Sequence, residues 1–331
     1  MPTPQHPLPS GFSAAATAAD VISGLDLRGQ TAIVTGGYAG LGLETTRVLC
    51  AAGAHVVVPA RDLTKATRAL ADLADVEIAA LDLIDPASVR AFAEQFVASG
   101  RPLHLLINNA GIMAGPLARD GRGYEAQLAT NHLGHFQLTA QLWPALRQAN
   151  GARVVALSSA GHRFSPVVFE DVNFERRAYD PWLAYGQSKT ANILFARALD
   201  ARGQSAGVRA FAVHPGTIIG TDLARQLSAD TLRQTGAFDA NGAPIIDPAN
   251  GRKTIAQGAA TSVWCATSPQ LVGQGGVYCQ DCDIAPLWQE ADAQLRPVGA
   301  GMVGVLPYAI DVEAAERLWT LSEQLTGVTL G

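Results

Sequence analysis

A doubly wound parallel α/β sheet of about seven strands, with helices on both faces, is the fold class that the sequence predicts. Three observations predict it. Short apolar runs alternate with amphipathic stretches along the chain, the runs are bounded by Gly, Asp, Asn or Pro, and the first run passes through a glycine cluster directly into a helical pattern. A short run that is apolar throughout marks a strand buried on both faces, whereas apolar residues recurring every third or fourth place mark a helix. Strand followed by helix, repeated about six times, requires parallel neighbours joined by right-handed crossovers.

In chain order, strands are expected at 31–37 (TAIVTGG), 54–60 (AHVVVPA), 75–83 (DVEIAALDL), 103–111 (LHLLINNAG), 152–159 (ARVVALSS), 208–216 (VRAFAVHPG) and 275–281 (GGVYCQD). Between them, LGLETTRVLCAAG, DLTKATRALADLA, DPASVRAFAEQFVASG and GYEAQLATNHLGHFQLTAQLWPALRQA carry the helical period, several opening on Asp or Gly and closing on Gly. Two regions stand outside the repeat. Residues 217–250 leave the end of the sixth strand in helix-like pieces broken by Gly, Asn and Pro, as expected of a mobile cover over a cleft. The tail contains DVEAAERLWTLSEQL, an amphipathic helix opening on Asp311 and expected to pack on the fold. The domain division that follows is 1–27 as an N-terminal segment, 28–285 as a single Rossmann-type unit carrying the 217–250 insertion, and 286–331 as a C-terminal extension.

Composition restricts the function classes. With 48% hydrophobic and 16% charged residues and 33 glycines spread along 331 positions, the chain has the profile of a soluble globular protein. A net charge of −5, without a basic stripe, argues against nucleic acid as a partner. The first twenty residues contain no Lys or Arg and no continuous apolar core, unlike a secretory signal. No run approaches the roughly 18 apolar residues that a bilayer span needs, so a cytoplasmic protein without membrane contact is expected. Cys50, Cys265, Cys279 and Cys282 are too few for a disulfide framework. YCQDCD has CxxC spacing but no second ligand pair, so reduced thiols and no metal are expected.

In such sheets ligands bind beyond the carboxyl ends of the strands, near the reversal of strand order. The first strand ends in TGGYAGLG, where Gly36, Gly40 and Gly42 let bare backbone approach a pyrophosphate at a helix N-terminus, with Tyr38 and Leu41 between them. The second strand ends in VVVPARD. Arg61 stands where an arginine would pair with a 2′-phosphate, which favours NADP(H), while Asp62 beside it leaves NAD(H) open as a ribose-binding alternative. At the third strand end, Asp82 is placed to accept from the adenine amino group, with the Leu83 backbone nearby. The NNAG at the fourth lets Asn108 and Asn109 tie strand ends together, with Ala110 and Gly111 along the cofactor cleft.

The chemical candidates follow. In PWLAYGQSKTAN, Tyr185 and Lys189 lie four apart on a helix and project from one face. A lysine close to a phenol favours phenolate and pulls its pKa from about 10 toward neutrality, which suits a general acid or base. Ser158 and Ser159 close the fifth strand, and TNHLGHF places Asn131 in the preceding helix.

Together TGGYAGLG, NNAG, TNHLGHF, VVALSS, YGQSK and HPGT, in this order over about residues 28 to 285, resemble the short-chain dehydrogenases/reductases. TNHLGHF and the long gap from serine to tyrosine are similar to the branch holding retinol dehydrogenases and related carbonyl reductases. The resemblance implies a tetrad of Asn131, Ser159, Tyr185 and Lys189, with Ser158 as the alternative serine. Tyr185 would donate the proton, Ser159 would hydrogen-bond the substrate oxygen, and Lys189 would bind the nicotinamide ribose, lower the Tyr185 pKa and link to a water held by the Asn131 backbone. Pro215, Gly216 and Thr217 would brace the nicotinamide carboxamide, with Ile219 and Thr221 as neighbours at the cofactor. Membrane-bound retinol dehydrogenases carry an apolar anchor that this chain lacks, so retinoid specificity is not carried over. The family often pairs subunits beside the active site, which leaves a homo-oligomer open. The expected activity is NADP-dependent interconversion of a ketone or aldehyde and an alcohol. A hydrophobic substrate is suggested by Ile112, Met113, Phe164, Trp182, Leu223 and Trp288. Two alternatives are a non-catalytic NADP-binding sensor and the same scaffold acting as an epimerase or ene-reductase.

Overall fold

The computed structural model describes residues 3–218, 220, 221, 223, 238, 239, 242–289 and 303–331. The seven expected apolar runs all form strands: β1 (Thr31–Val34), β2 (His55–Ala60), β3 (Val76–Ala80), β4 (Leu105–Asn108), β5 (Arg153–Leu157), β6 (Arg209–His214) and, beyond the short pair β7 (Thr217–Ile218) and β8 (Arg252–Lys253), β9 (Val277–Gln280). Each is shorter than its apolar run, and at β1, β4, β5 and β6 the Gly, Asn, Ser or Pro-Gly at the carboxyl end leaves the ladder to line the cleft.

The main sheet has the order β10-β9-β6-β5-β4-β1-β2-β3, parallel except where β10 (Asp283–Ile284) pairs antiparallel with β9. Strand order reverses between β1 and β4, which pair in register from Ala32–Leu105 to Val34–Ile107. This switch point opens the crevice in which ligands bind.

Strand β10 departs from the expectation of about seven strands. Asp281 and Cys282 both take positive φ, 56° and 57°, the geometry of a tight type I′ hairpin turn. Its usual Asn-Gly signal is missing from QDCD, and that hid the eighth strand. The CxxC is thus a hairpin in which Cys279 pairs with Ile284, and all four thiols are free.

Helix α1 (Ala18–Ile22) precedes β1, and α2 (Gly40–Ala51), α3 (Leu63–Leu70), α4 (Pro86–Ala98), α5 (Ala126–Leu128), α6 (Gly134–Gln141), α7 (Trp143–Gln148) and α8 (Pro181–Gly203) fill the crossovers. Helix Ile255–Thr267 precedes β9, and helix Val312–Thr326 closes the chain. The pleat sends alternate strand residues to opposite cores. Ile33, Leu106 and Val154 join α4, α6, α8 and the C-terminal helix on one face, while Val34, Ile107 and Val155 join α1, α2 and Ile255–Thr267 on the other. Burial on both faces is why the central strands are mostly apolar, whereas the edge strand β3 is only partly buried and carries Glu77.

The stretch expected as one helix from Tyr124 onward is divided. A π turn, Ala129–Leu133, separates α5 from α6, and Pro144 in the first turn of α7 marks a second break. Asn131 lies on the π turn.

The ends are docked. Gln5 Nε2 donates to the carbonyls of Tyr278 (2.8 Å) and Ala285 (2.6 Å), and its oxygen accepts from the Tyr278 amide at 3.0 Å. At the other end Trp319 stacks on Phe195 of α8 and meets Phe136 of α6 edge-on, 4.9 Å between centroids. Ser322 reaches His132 Nε2 at 2.7 Å.

Candidate active site

A cavity of about 990 Å³ lies beyond the carboxyl ends of β1, β2, β4, β5 and β6, and two physically different halves form it.

The nucleotide half is a backbone construction. Gly36 and Gly40 have φ of +65° and +50°, conformations that side chains disfavour. A Cβ on Gly42 would run into the Gly36 carbonyl and stand 2.6 Å from Asn109 Nδ2. Beneath the loop Thr35 Oγ1 accepts from the amides of Asn109 (2.9 Å) and Ala110 (3.0 Å), while Asn109 Nδ2 donates to the Thr35 carbonyl at 2.8 Å. Asn109 therefore ties strand ends together. Asn108 does not: its side-chain Nδ2 donates to Thr139 Oγ1 on α6, and its Oδ1 is buried without a partner among the described residues.

Gly36, Tyr38, Gly40, Leu41 and Gly42 all line the cavity, as do Asp82, Leu83, Asn109, Ala110 and Gly111. Arg61 and Lys65 line it at the β2 end. Asp62 also borders it, but its Oδ1 accepts from the Lys65 amide at 2.9 Å and caps α3, turning that oxygen toward the helix.

The chemical half consists of side chains on α8 and the strand ends. Helix α8 starts where Pro181 takes the first position and Asp180 caps it, accepting from the amides of Trp182 and Leu183. One turn on, Tyr185 and Lys189 are buried to 3% and 4% exposure. Lys189 Nζ donates to the Leu157 carbonyl at 3.1 Å and lies 5.5 Å from the centre of the Tyr185 ring. Ser159 stands beside Tyr185, since a Cβ on Gly161 would meet both the Tyr185 ring and Ser159 Oγ, and that Oγ accepts from the Gly161 amide at 3.0 Å. Ser158 faces elsewhere, donating to the Lys189 carbonyl at 2.8 Å. Asn131 is clamped, with Oδ1 accepting from the Ile112 amide and Nδ2 donating to the Ile112 carbonyl and Ser188 Oγ. A Cβ on Gly111 would stand 3.1 Å from Asn131 Oδ1 and 3.6 Å from Lys189 Nζ, so strand end, amide and ammonium meet here.

The electrostatics reverse one expectation. Burial pushes the Tyr185 phenol up to about 12, opposed only in part by the neighbouring Ser159 hydroxyl, and burial pulls Lys189 down to about 8. The ammonium sits against the ring and is spent on a carbonyl, so it does not draw the phenol toward neutrality. A phenol held that high keeps its proton at neutral pH.

Pro215, Gly216 and Thr217 line the cavity beside Tyr185. Gly216 has φ +96°, and a Cβ there would stand 2.9 Å from Lys253 Cδ; that buried ammonium pairs with Asp281 at 2.5 Å. Thr221 and Leu223 are also on the wall, whereas Ile219 and most of 217–250 lie outside the described residues. Ile112, Met113, Phe164 and Trp182 line the cavity. Trp288 does not appear on its wall; its backbone pairs with Val305.

Sequence reasoning missed the histidines that frame the site. His135 Nδ1 donates to the Asn131 carbonyl at 3.0 Å while Nε2 meets Thr35 Oγ1 at 2.9 Å, joining the two halves. His214 Nδ1 accepts from the amides of Ala160 (3.2 Å) and Gly216 (3.4 Å). Burial holds both neutral, His135 at about 4 and His214 at about 3. Their signal in sequence is only that the two stand in TNHLGHF and HPGT, beside the motif residues.

Among the described residues no group of His, Cys, Asp and Glu could hold a metal, and no helix is long and apolar enough to cross a membrane.

The family model for short chain dehydrogenases matches residues 30–232. A probable oxidoreductase of Streptomyces antibioticus is 45% identical over 89% of this chain and 97% of its own. Human retinol dehydrogenase 12 is 37% identical over 92% of this chain and 88% of its own. The crystal structure of an uncharacterized protein from Mycobacterium Paratuberculosis superimposes with a TM-score of 0.71 at 34% identity, covering 96% of this chain and 99% of that one. With these likenesses beside a switch-point cleft, the chain belongs to the short-chain dehydrogenase/reductase family of oxidoreductases, on its retinol-dehydrogenase-like side.

Proposed function

We propose that the protein reduces a hydrophobic ketone or aldehyde to the alcohol, and oxidises that alcohol in reverse, with NADP(H) as its coenzyme. The observation that carries this reading is a buried, protonated tyrosine with Ser159 and Lys189 beside it, in a cleft whose other half is a glycine cradle. That cradle, free of side chains where Gly36 and Gly42 approach Asn109, suits a pyrophosphate. Bound there, the nicotinamide would supply the hydride.

The chain's own residues would do the rest. Tyr185 Oη gives its proton to the carbonyl oxygen, and the Ser159 hydroxyl hydrogen-bonds the same oxygen as charge develops. Lys189 holds the ribose hydroxyls and, carrying charge below about pH 8, steadies the phenolate left behind. Asn131 keeps the Ile112 backbone fixed against the substrate side. An apolar substrate fits the aromatic wall, since the Tyr185 and Trp182 rings lie 6.4 Å apart and those of Trp182 and Phe164 5.8 Å. Arg61 and Lys65 at the β2 end, with an Asp62 oxygen turned to its helix cap, support a 2′-phosphate over a free 2′-hydroxyl.

The test follows the absorbance of NADPH and of NADH against aryl and cyclic ketones and small polar ones. Faster turnover of the bulky apolar ketones with NADPH is expected. Binding of NADPH without turnover across the panel would replace the reductase by a nucleotide-binding sensor.

A further inference from the structure

His162 is completely buried in the one-turn helix Ala160–Phe164 that Ser159 caps. Its hydrogen bonds fix its chemistry. Nε2 faces the Leu306 amide at 3.2 Å, and an amide can only donate, so Nε2 must be the lone-pair nitrogen. The ring proton is therefore on Nδ1, which donates to the Ser159 carbonyl at 2.8 Å. A second donor, the His162 amide, reaches the same carbonyl at 3.1 Å. The Ser159 peptide is held by both, and with it the direction of the hydroxyl that stands beside Tyr185.

What holds the imidazole comes from far along the chain. Leu306 supplies the amide on Nε2, and the Tyr308 hydroxyl donates to the His162 carbonyl at 2.7 Å. This stretch is itself fastened, since the Val305 amide donates to the Pro286 carbonyl at 3.0 Å and the Val305 carbonyl accepts from the Trp288 amide at 2.9 Å. Helix Val312–Thr326 then anchors it on α8 and α6 through Trp319.

We propose that residues 305–308 are a positioning element of the active site, which orients Ser159 through the neutral His162 imidazole. The inference rests on the reading of Ser159 as the partner of Tyr185. His162 touches neither substrate nor coenzyme in this account; it sets the angle from which Ser159 Oγ approaches.

Side chains of different reach separate the two bonds. His162→Asn puts an amide donor where Nδ1 was and loses the Leu306 contact. His162→Gln puts an acceptor where Nε2 was and loses the Ser159 contact. Leu306→Pro removes the amide hydrogen at a residue whose φ of −71° already suits proline, and Leu306→Ala keeps that hydrogen while shortening the side chain. The quantities to measure are kcat and KM for the ketone, per site counted by NADPH titration, with Tm alongside.

His162→Gln should lower kcat per NADPH-binding site about thirtyfold, and Leu306→Pro and His162→Asn about fivefold to tenfold, with KM and NADPH affinity within about twofold and Leu306→Ala near wild type. Tyr308→Phe, which deletes one hydroxyl, should lower kcat about threefold and keeps the test alive if the histidine variants fail to fold. If Tm falls but kcat per site stays within about twofold in the variants that bind NADPH, the contacts support only the fold and the role is overturned. A wild type without turnover would instead overturn the reading of the site, and this role with it.

Discussion

The two halves of the cleft are held in place by different means. The nucleotide half is backbone: glycines at positive φ and amides gathered on Thr35 Oγ1. The chemical half is buried side chain, with Tyr185, Lys189 and Asn131 at 4% exposure or less, and neutral imidazoles of His135, His162 and His214 bridging its segments. One half excludes side chains so that a ligand's charge can meet bare amides. The other excludes water so that a phenol keeps its proton. The first is therefore sensitive to added bulk, and the second to lost hydrogen bonds and to protons.

Several substitutions break this contrast, beginning with the largest effect. Tyr185→Phe removes the proton donor while leaving the cradle intact, so kcat should fall about a thousandfold with NADPH affinity nearly unchanged, as single-turnover rates and fluorescence titration would show. Gly42→Ala should do the opposite. Its Cβ would meet the Gly36 carbonyl and Asn109 Nδ2, and NADPH affinity should drop about a hundredfold by titration while the Tyr185 end is untouched. Arg61→Ser should lower NADPH affinity about tenfold and leave NADH within about twofold, which parallel titrations would establish.

Acid acts through the buried histidines. Burial depresses His132 and His214 to about 3 and His135 and His162 to about 4, against about 6.5 in the unfolded chain. Between pH 6.5 and 4 the unfolded state binds protons that the folded state does not, so stability is complete above 6.5 and is lost as pH falls. Each histidine contributes up to about 1.4 kcal/mol per pH unit across that window. Urea midpoints should fall steeply from pH 7 to pH 5, and His135→Gln should flatten that slope.

These same differences decide what was legible in the chain. The strands could be read because burial on both faces demands apolar residues throughout, and the glycine cradle because backbone approach demands glycine. β10 could not, because its turn uses Asp281 and Cys282 in a conformation that their side chains do not advertise. Nor could the break at Ala129–Leu133, where the apolar period runs on through the π turn. The positions of Tyr185 and Lys189 were readable from helical spacing, but the direction of the phenol's shift was not. It depends on how completely α8 is enclosed and on the Leu157 carbonyl taking the ammonium. His162 was silent for a related reason, since its partner Leu306 lies 144 residues away.

The central claim is that a protonated Tyr185 and a bound coenzyme reduce a carbonyl carbon in this cleft. Its most direct measurement is mass spectrometry of the product formed from an aryl ketone and NADPH deuterated at the transferable position. The account predicts an alcohol with the label on the carbinol carbon, in wild type and not in Tyr185→Phe. Label on a former alkene carbon of an enone substrate, or an equally labelled alcohol from Tyr185→Phe, would contradict it.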